Sequence, residues 1–197
     1  MLDGTKLTAL VVGGGGVALR KVRSLLDGGV RVSVVATDVH RELRELAMGE
    51  PRLTIITGAY TDAHIGDALI VIAATNDVAV NTRVAEDAIL LHRLVNVVDA
   101  PSAGSFATPA VHRSGELTIA VSAGRLPAAA GAIRDAIGAR FDDRYASAIA
   151  ELRDLRDRLL ANGGRDEWKT ISGQMLGDSF CADVESGLLP SKVDAWR

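Results

Sequence analysis

Residues 7–18 read LTALVVGGGGVA, and the fold turns on how this stretch is read. An apolar run (Leu10, Val11, Val12) meets four glycines, Gly13 to Gly16, and the helical pattern ALRKVRSLLDGG follows at once. Strand, tight turn and helix in that order make a dinucleotide-binding turn of the form GxGxxA, with Gly13, Gly15 and Ala18 at its fixed positions. One glycine permits the turn, one lets backbone approach a pyrophosphate, and a small third residue lets helix pack on strand. The free N–H groups and dipole of the helix start then favour an anion. The motif gains weight from its place at the head of a βαβ unit.

Apolar runs and helical patterns alternate outward from this turn. Strands are predicted at 7–12, 31–36, 53–57, 69–74 and 94–98, with helices at 16–27, 39–48, 62–66 and 78–92. Such alternation gives a parallel sheet covered on both faces. Right-handed crossovers make it a Rossmann-like, doubly wound α/β sheet of order 3-2-1-4-5. Beyond Pro101 the pattern changes. Two extended runs, 105–111 and 116–122, are joined by a turn at 113–116 and predict a β-hairpin. Pro127 opens one helix, and a second at 142–161 carries Tyr145, Ile149, Leu152, Leu155 and Leu159 along one side. Residues 165–197 read as partly helical with a weakly ordered end. The division is therefore a nucleotide-binding domain at 1–101, a hairpin dimerisation region at 102–126 and a helical region at 127–197. A hairpin buries little alone, so this region is expected to pack on a second copy of the chain.

Composition narrows the function classes. The chain has 197 residues, 48% of them hydrophobic, with a net charge of −3, so no nucleic-acid footprint is implied. The lone Cys181 excludes an internal disulfide. His40, His64, His92 and His112 have no metal-ligand spacing, so no metal centre is expected. No signal segment and no membrane-length apolar run are seen, and the expectation is a soluble, cytoplasmic protein.

Open α/β sheets bind ligands outside the carboxyl ends of their strands. Besides the glycines, Ala36-Thr37-Asp38 ends strand two, where an acid takes the adenosine ribose hydroxyls. Asp38 reads equally as the N-cap of the next helix. As a ribose ligand it favours NAD over NADP, Arg41 being the nearest cation that a 2′-phosphate would meet. The polar run Ala73-Ala74-Thr75-Asn76-Asp77 either borders the nicotinamide half or caps a helix. Asp99, in NVVDAP, is the catalytic candidate: a carboxylate at this crevice can serve as general base or orienting group. The competing reading is a turn-forming Asp before proline. Ser122 can bind substrate or cap a helix. Arg20, Lys21, Arg83, Arg113, Arg125 and Arg134 are surface cations unless a polycarboxylate ligand gathers some of them.

Four segments in this order, GGGGVALRKVRSLL, AATNDVAVNTRV, NVVDAPSAGSFATPAV and LTIAVSAG, resemble the precorrin-2 dehydrogenases. These are the first module of siroheme synthase and its free-standing relatives, some of which are also sirohydrochlorin ferrochelatases. The resemblance covers roughly residues 3–160 and rests most on VNTRV and NVVDAP. It implies NAD-linked oxidation of precorrin-2 to sirohydrochlorin, on the route to sirohaem or cobalamin, by a homodimer intertwined beyond the nucleotide-binding domain. It places the key aspartate on Asp99 and nucleotide contacts on Gly16, Val17, Thr37 and Asp38. It also raises insertion of Fe2+ or Co2+ in the same cleft. The stretch Ser122-Ala123-Gly124-Arg125-Leu126-Pro127 departs from the family pattern: it looks one residue shorter, Ala123 replaces a serine, and Arg125 intrudes on the substrate loop. No methyltransferase module is expected. On this reading NAD, Gly13, Gly15, Gly16, Val17, Thr37, Asp38 and Thr75 form the cofactor side, and Ser122, Arg113 and Arg125 the substrate side. The alternative is an NAD-sensing module without catalysis.

Overall fold

The computed structural model describes residues 2–124 and 126–196. The sheet of the first unit consists of β1 (Thr8–Val12), β2 (Arg31–Ala36), β3 (Leu53–Thr57), β4 (Ile70–Ala73) and β5 (Leu94–Val97). All its pairings are parallel, in the order β3-β2-β1-β4-β5. Three helices complete this unit: α1 (Gly16–Asp27), α2 (Arg41–Gly49) and α3 (Val78–Leu90). Both the order and the doubly wound class match the sequence reading.

The apolar runs are continuous because both sheet faces are covered. Ala9 and Val11 point to one face, with Val32, Val34, Ile70 and Ile72, where α1 and α2 supply Ala18, Leu19, Val22 and Leu43. Leu10 and Val12 point to the other, with Val71, Ala73, Val95 and Val97, under Val84, Ala85 and Ala88 of α3. The two-residue side-chain period of a strand feeds both cores.

Two expected elements shift, each for a stated cause. Helix α2 begins at Arg41 rather than 39, because residues 38–40 are an extended clasp: His40 N–H donates to Gly14 C=O (2.8 Å) and Val39 is buried. The strand expected at 105–111 begins only at Ala110. Ser105 and Phe106 instead lie against the edge strand β5. Ser105 Oγ accepts from Val95 N–H (2.8 Å), Ser105 N–H donates to Val95 C=O (2.7 Å), and Asn96 Nδ2 donates to Phe106 C=O (3.0 Å). The segment thereby covers an exposed sheet edge.

The chain divides into two compact units between Ala107 and Thr108, where three stretches (1–101, 102–126, 127–197) were expected. The second unit holds an antiparallel hairpin, β6 (Ala110–Ser114) and β7 (Leu117–Val121), with Gly115 at φ +56° in its turn. Helices α4 (Pro127–Arg140), α5 (Asp143–Ala161), α6 (Arg165–Met175), α7 (Phe180–Glu185) and α8 (Leu189–Asp194) follow. Helix α4 lies on the hairpin, and His112 Nε2 reaches Phe141 C=O at 2.7 Å.

The apolar stripe on α5 is covered within the chain. Tyr145, Leu152 and Leu155 are buried, joined by Ala148 rather than Ile149, against Ile171, Met175, Val184, Leu189 and Val193 of α6–α8. The stretch expected to end in weak order folds back as three helices and covers this face within the same chain.

Candidate active site

The carboxyl ends of four strands form one row. Val12 pairs with Val35 on one side and Ala73 on the other, and Ala73 pairs with Val97. The strand order reverses between β1 and β4, and the crevice at such a switch point is where open sheets bind ligands. The structure brings Gly13, Gly15, Gly16, Val17, Thr37, Asp38, Thr75 and Asp99 to this edge.

The four glycines divide into two kinds. A Cβ on Gly13, whose φ is +122°, would stand 2.3 Å from Ala74 C=O, and one on Gly14 would stand 2.1 Å from Asp38 C=O. Both are fixed by close approach of neighbouring backbone. Around Gly15 and Gly16 a Cβ would meet nothing within 4 Å. Their bareness answers no packing need of the protein and leaves an open cradle. Gly15 is the N-cap of α1 with no side-chain cap, so the first N–H groups of Gly16, Val17 and Ala18 have no intrahelical acceptor. Ala18 is fully buried, as close packing of helix on strand requires. These residues fit a pyrophosphate.

Asp38 stands beside this cradle. Its side chain is 100% exposed, with Arg44 Nη2 at 4.0 Å. It caps nothing: the N-cap of α2 is His40. Of its two readings the capping one falls, and a carboxylate remains at the ribose end of the crevice, with the exposed Thr37 next to it.

Thr75 sits differently from expectation. Its N–H and Oγ1 lie 3.1 and 2.8 Å from Asn81 Oδ1, its C=O accepts from Asn81 Nδ2 (3.0 Å), and Oγ1 accepts from Asp77 N–H (3.1 Å). The polar groups of Thr75 are thus engaged in shaping its loop. Asp77 caps α3 through Ala79 and Val80 N–H. Asn81, buried in the VNTRV segment, organises the turn against Gly13. Sequence reading passed over it, although a polar residue on the inward face of a helix is a usable signal. Arg83 of the same segment lies 5.9 Å over the Tyr60 ring and 3.7 Å from Asp87, whose carboxylate accepts from Tyr60 Oη at 3.1 Å. Burial pushes the Tyr60 phenol above its ordinary range, and the Asp87 hydrogen bond adds to this. On α1, burial pushes the Lys21 ammonium down, and Arg20 adds to it.

Asp99 lies two residues past β5, before the 3₁₀ turn Pro101–Ala103. It is exposed, and among the described residues its carboxylate has no hydrogen-bond or ion-pair partner. Strands β1 and β5 flank β4, which separates the glycine turn from Asp99 by roughly 10 Å at the usual strand spacing.

The expected substrate residues belong to the second unit. Arg113 pairs with Thr118 across the hairpin and donates to its Oγ1 (3.2 Å), whereas Ser122 follows β7 at the opposite end, roughly 13 Å along the strand. Arg125 lies outside the described residues. Arg134 pairs with Asp135 at 2.6 Å. Among the described residues no group of three or more His, Cys, Asp or Glu could hold a metal ion, and no helix is long and apolar enough to cross a membrane.

A doubly wound parallel sheet with an open glycine cradle at its switch point, and an exposed carboxylate after β2, defines a dinucleotide-binding protein. The chain belongs to the NAD(P)-binding family NAD_binding_7, whose model matches residues 1–110. It is 38% identical over 170 residues to the siroheme synthase of Tolumonas auensis, covering 86% of this chain and 33% of that protein. It is 40% identical over 206 residues to the siroheme synthase of Pseudomonas fluorescens strain Pf0-1, covering 89% and 44%. The chain thus spans less than half the length of these relatives. Among solved structures it resembles SirC, a precorrin-2 dehydrogenase, with a TM-score of 0.82 over 100% of this chain and 96% of the other, at 24% identity. That likeness establishes a shared fold through both units.

Proposed function

We propose that the chain is an NAD-dependent precorrin-2 dehydrogenase that oxidises precorrin-2 to sirohydrochlorin. The observation that carries the reading is Asp99, an exposed carboxylate that has no partner among the described residues, on the same sheet edge as the bare Gly15–Gly16 cradle. The named activities of the similar proteins support it.

The N–H groups at the start of α1 hold the pyrophosphate, and Asp38 accepts from the adenosine ribose hydroxyls. Bound NAD+ supplies the hydride acceptor. Asp99 orients the tetrapyrrole and takes the proton released as the hydride leaves. Buried Asn81 keeps the Thr75 loop in one shape beside the turn, so the crevice is formed before ligands arrive. Insertion of Fe2+ or Co2+ into sirohydrochlorin is a second activity for the same carboxylate, which would accept the pyrrole N–H protons as the metal enters. Here the metal is substrate, so no resident ligand set is needed.

The partner is a second copy of the chain, docked through the hairpin and α4. Helix α4 buries only Ala130 among its described residues, while Ile133 on it and Leu126 before it are 46% and 66% exposed.

Anaerobic incubation of the protein with precorrin-2 and NAD+, followed by the absorbance of NADH and of the tetrapyrrole, tests the reaction. Formation of NADH matched to sirohydrochlorin is expected. NAD+ binding without turnover would favour an NAD-sensing module instead. A parallel incubation with sirohydrochlorin and Fe2+ or Co2+, against a metal-only control, tests chelation.

A further inference from the structure

We infer that Arg44 is a second determinant of cofactor choice: a cation held at the ribose end, whose access to a 2′-phosphate is controlled by Asp38. This rests on the dinucleotide reading of the site.

The sequence points to Arg41 as the cation a 2′-phosphate would meet, but the structure points to Arg44. Arg41 is turned along its own helix, with Nε 3.5 Å from Glu45 Oε1. Arg44 reaches back across the first turn of α2. Its Nε donates to Val39 C=O at 3.2 Å, which tethers the guanidinium to the 38–40 clasp. Its Nη2 stands 4.0 Å from Asp38 Oδ1. The clasp is itself fastened to the glycine turn by the His40–Gly14 hydrogen bond and by Asp38 C=O over Gly14. Asp38 and Arg44 are therefore carried on one backbone feature beside the cradle. No side chain caps the start of α2 either, so its first N–H groups add to the positive field there.

The chemistry follows from this placement. Asp38 accepts from two ribose hydroxyls and repels a 2′-phosphate. It also partly neutralises Arg44. The pair is exposed, 57% for Arg44, so the ion pair is weak, and the Nη groups can serve another anion while Nε keeps its bond to Val39 C=O. When Asp38 is replaced by an uncharged residue, the cation faces the ribose end without a carboxylate beside it, and a planar guanidinium suits a phosphate.

The test is fluorescence titration of NADH and NADPH into the full chain, which reads binding rather than turnover. The unchanged protein should bind NADH more tightly than NADPH. Asp38→Ser should gain NADPH affinity by about tenfold or more, as one charge-assisted contact allows. Asp38→Ser with Arg44→Ala should lose that gain, whereas Asp38→Ser with Arg41→Ala should keep it. These side chains lie on the surface, so circular dichroism should be the same throughout. The inference is overturned if no gain appears, if it survives loss of Arg44, or if it depends on Arg41. Failure of the unchanged protein to bind either dinucleotide would instead overturn the reading of the site.

Discussion

The buried carboxamide of Asn81 grips Thr75 from both sides: Oδ1 lies 3.1 Å from Thr75 N and 2.8 Å from Oγ1, while Nδ2 donates to its C=O at 3.0 Å. A helix residue thereby sets the shape of a loop at the end of β4, against the turn that begins at Gly13. Asn81→Ala leaves Thr75 N–H and C=O without partners. It should cost about 2–3 kcal/mol, read as a lowered denaturant midpoint. Asn81→Asp should be less tolerated than loss of a single hydrogen bond suggests, because it puts an acceptor against the Thr75 carbonyl. Unchanged midpoints in both variants would mean that the loop is held by other contacts.

The glycines should respond to substitution in two classes. Gly13→Ala and Gly14→Ala drive a methyl into backbone at 2.3 and 2.1 Å, so soluble folded protein should be scarce. Gly15→Ala should fold normally, since its Cβ meets nothing, yet lose NAD affinity, and Gly15→Asp should lose more by adding charge to the cradle. Thermal melts beside NADH titrations separate the classes. Intact NAD binding by Gly15→Asp would remove the pyrophosphate from this turn.

Asp99→Ala should lower precorrin-2 oxidation by about 10²–10⁴-fold. Stability should be unchanged, because the carboxylate has no partner among the described residues to lose. NADH affinity should also hold, since Asp99 lies two strands from the glycine turn. Near-normal turnover would show that the carboxylate has no part in the chemistry.

Acid should loosen the second unit. Lys192 and Ser179 on Asp183 hold its carboxyl below the usual range, and Arg140 with Tyr145 does the same for Glu185. Depressed folded-state values mean that these pairs contribute fully above the ordinary carboxylate pKa of about 4 and lose their contribution as pH falls below it. Both tryptophans, Trp168 and Trp196, lie in this unit, so tryptophan emission excited beyond the tyrosine band reports it alone. Its melting temperature should fall from about pH 5 to pH 3, and less steeply in Lys192→Met. Equal slopes would assign the acid sensitivity elsewhere.

Light scattering at micromolar concentration should show a dimer, and Ile133→Glu on α4 should yield a folded monomer. A monomer before any substitution would remove the hairpin and α4 as an interface.

What the sequence made legible follows from periodicity. The runs around Val11, Val34, Ile72 and Val95 are buried on both faces, so their apolar pattern carries strand identity directly. The glycine turn and Asp99 were legible because strand ends are punctuated by polar and small residues. Partnership was harder. The α5 stripe was visible, but nothing local told whether α6–α8 or another chain would cover it. Residues 105–109 have strand-like composition and lose that state to the β5 edge, a nonlocal competitor. Thr75 looked available because its partner Asn81 comes from the following helix, and Arg44 escaped notice because its tether is a backbone carbonyl five residues back.

The internal cover over Tyr145, Leu152 and Leu155 separates two properties that intertwined proteins often merge. An obligate dimer has no folded protomer, so dilution unfolds it. Here the helices from α5 onward close their own interior. Concentration should therefore govern how many chains are paired while leaving that bundle intact in each, and mixed dimers of labelled and unlabelled chains should form without denaturant.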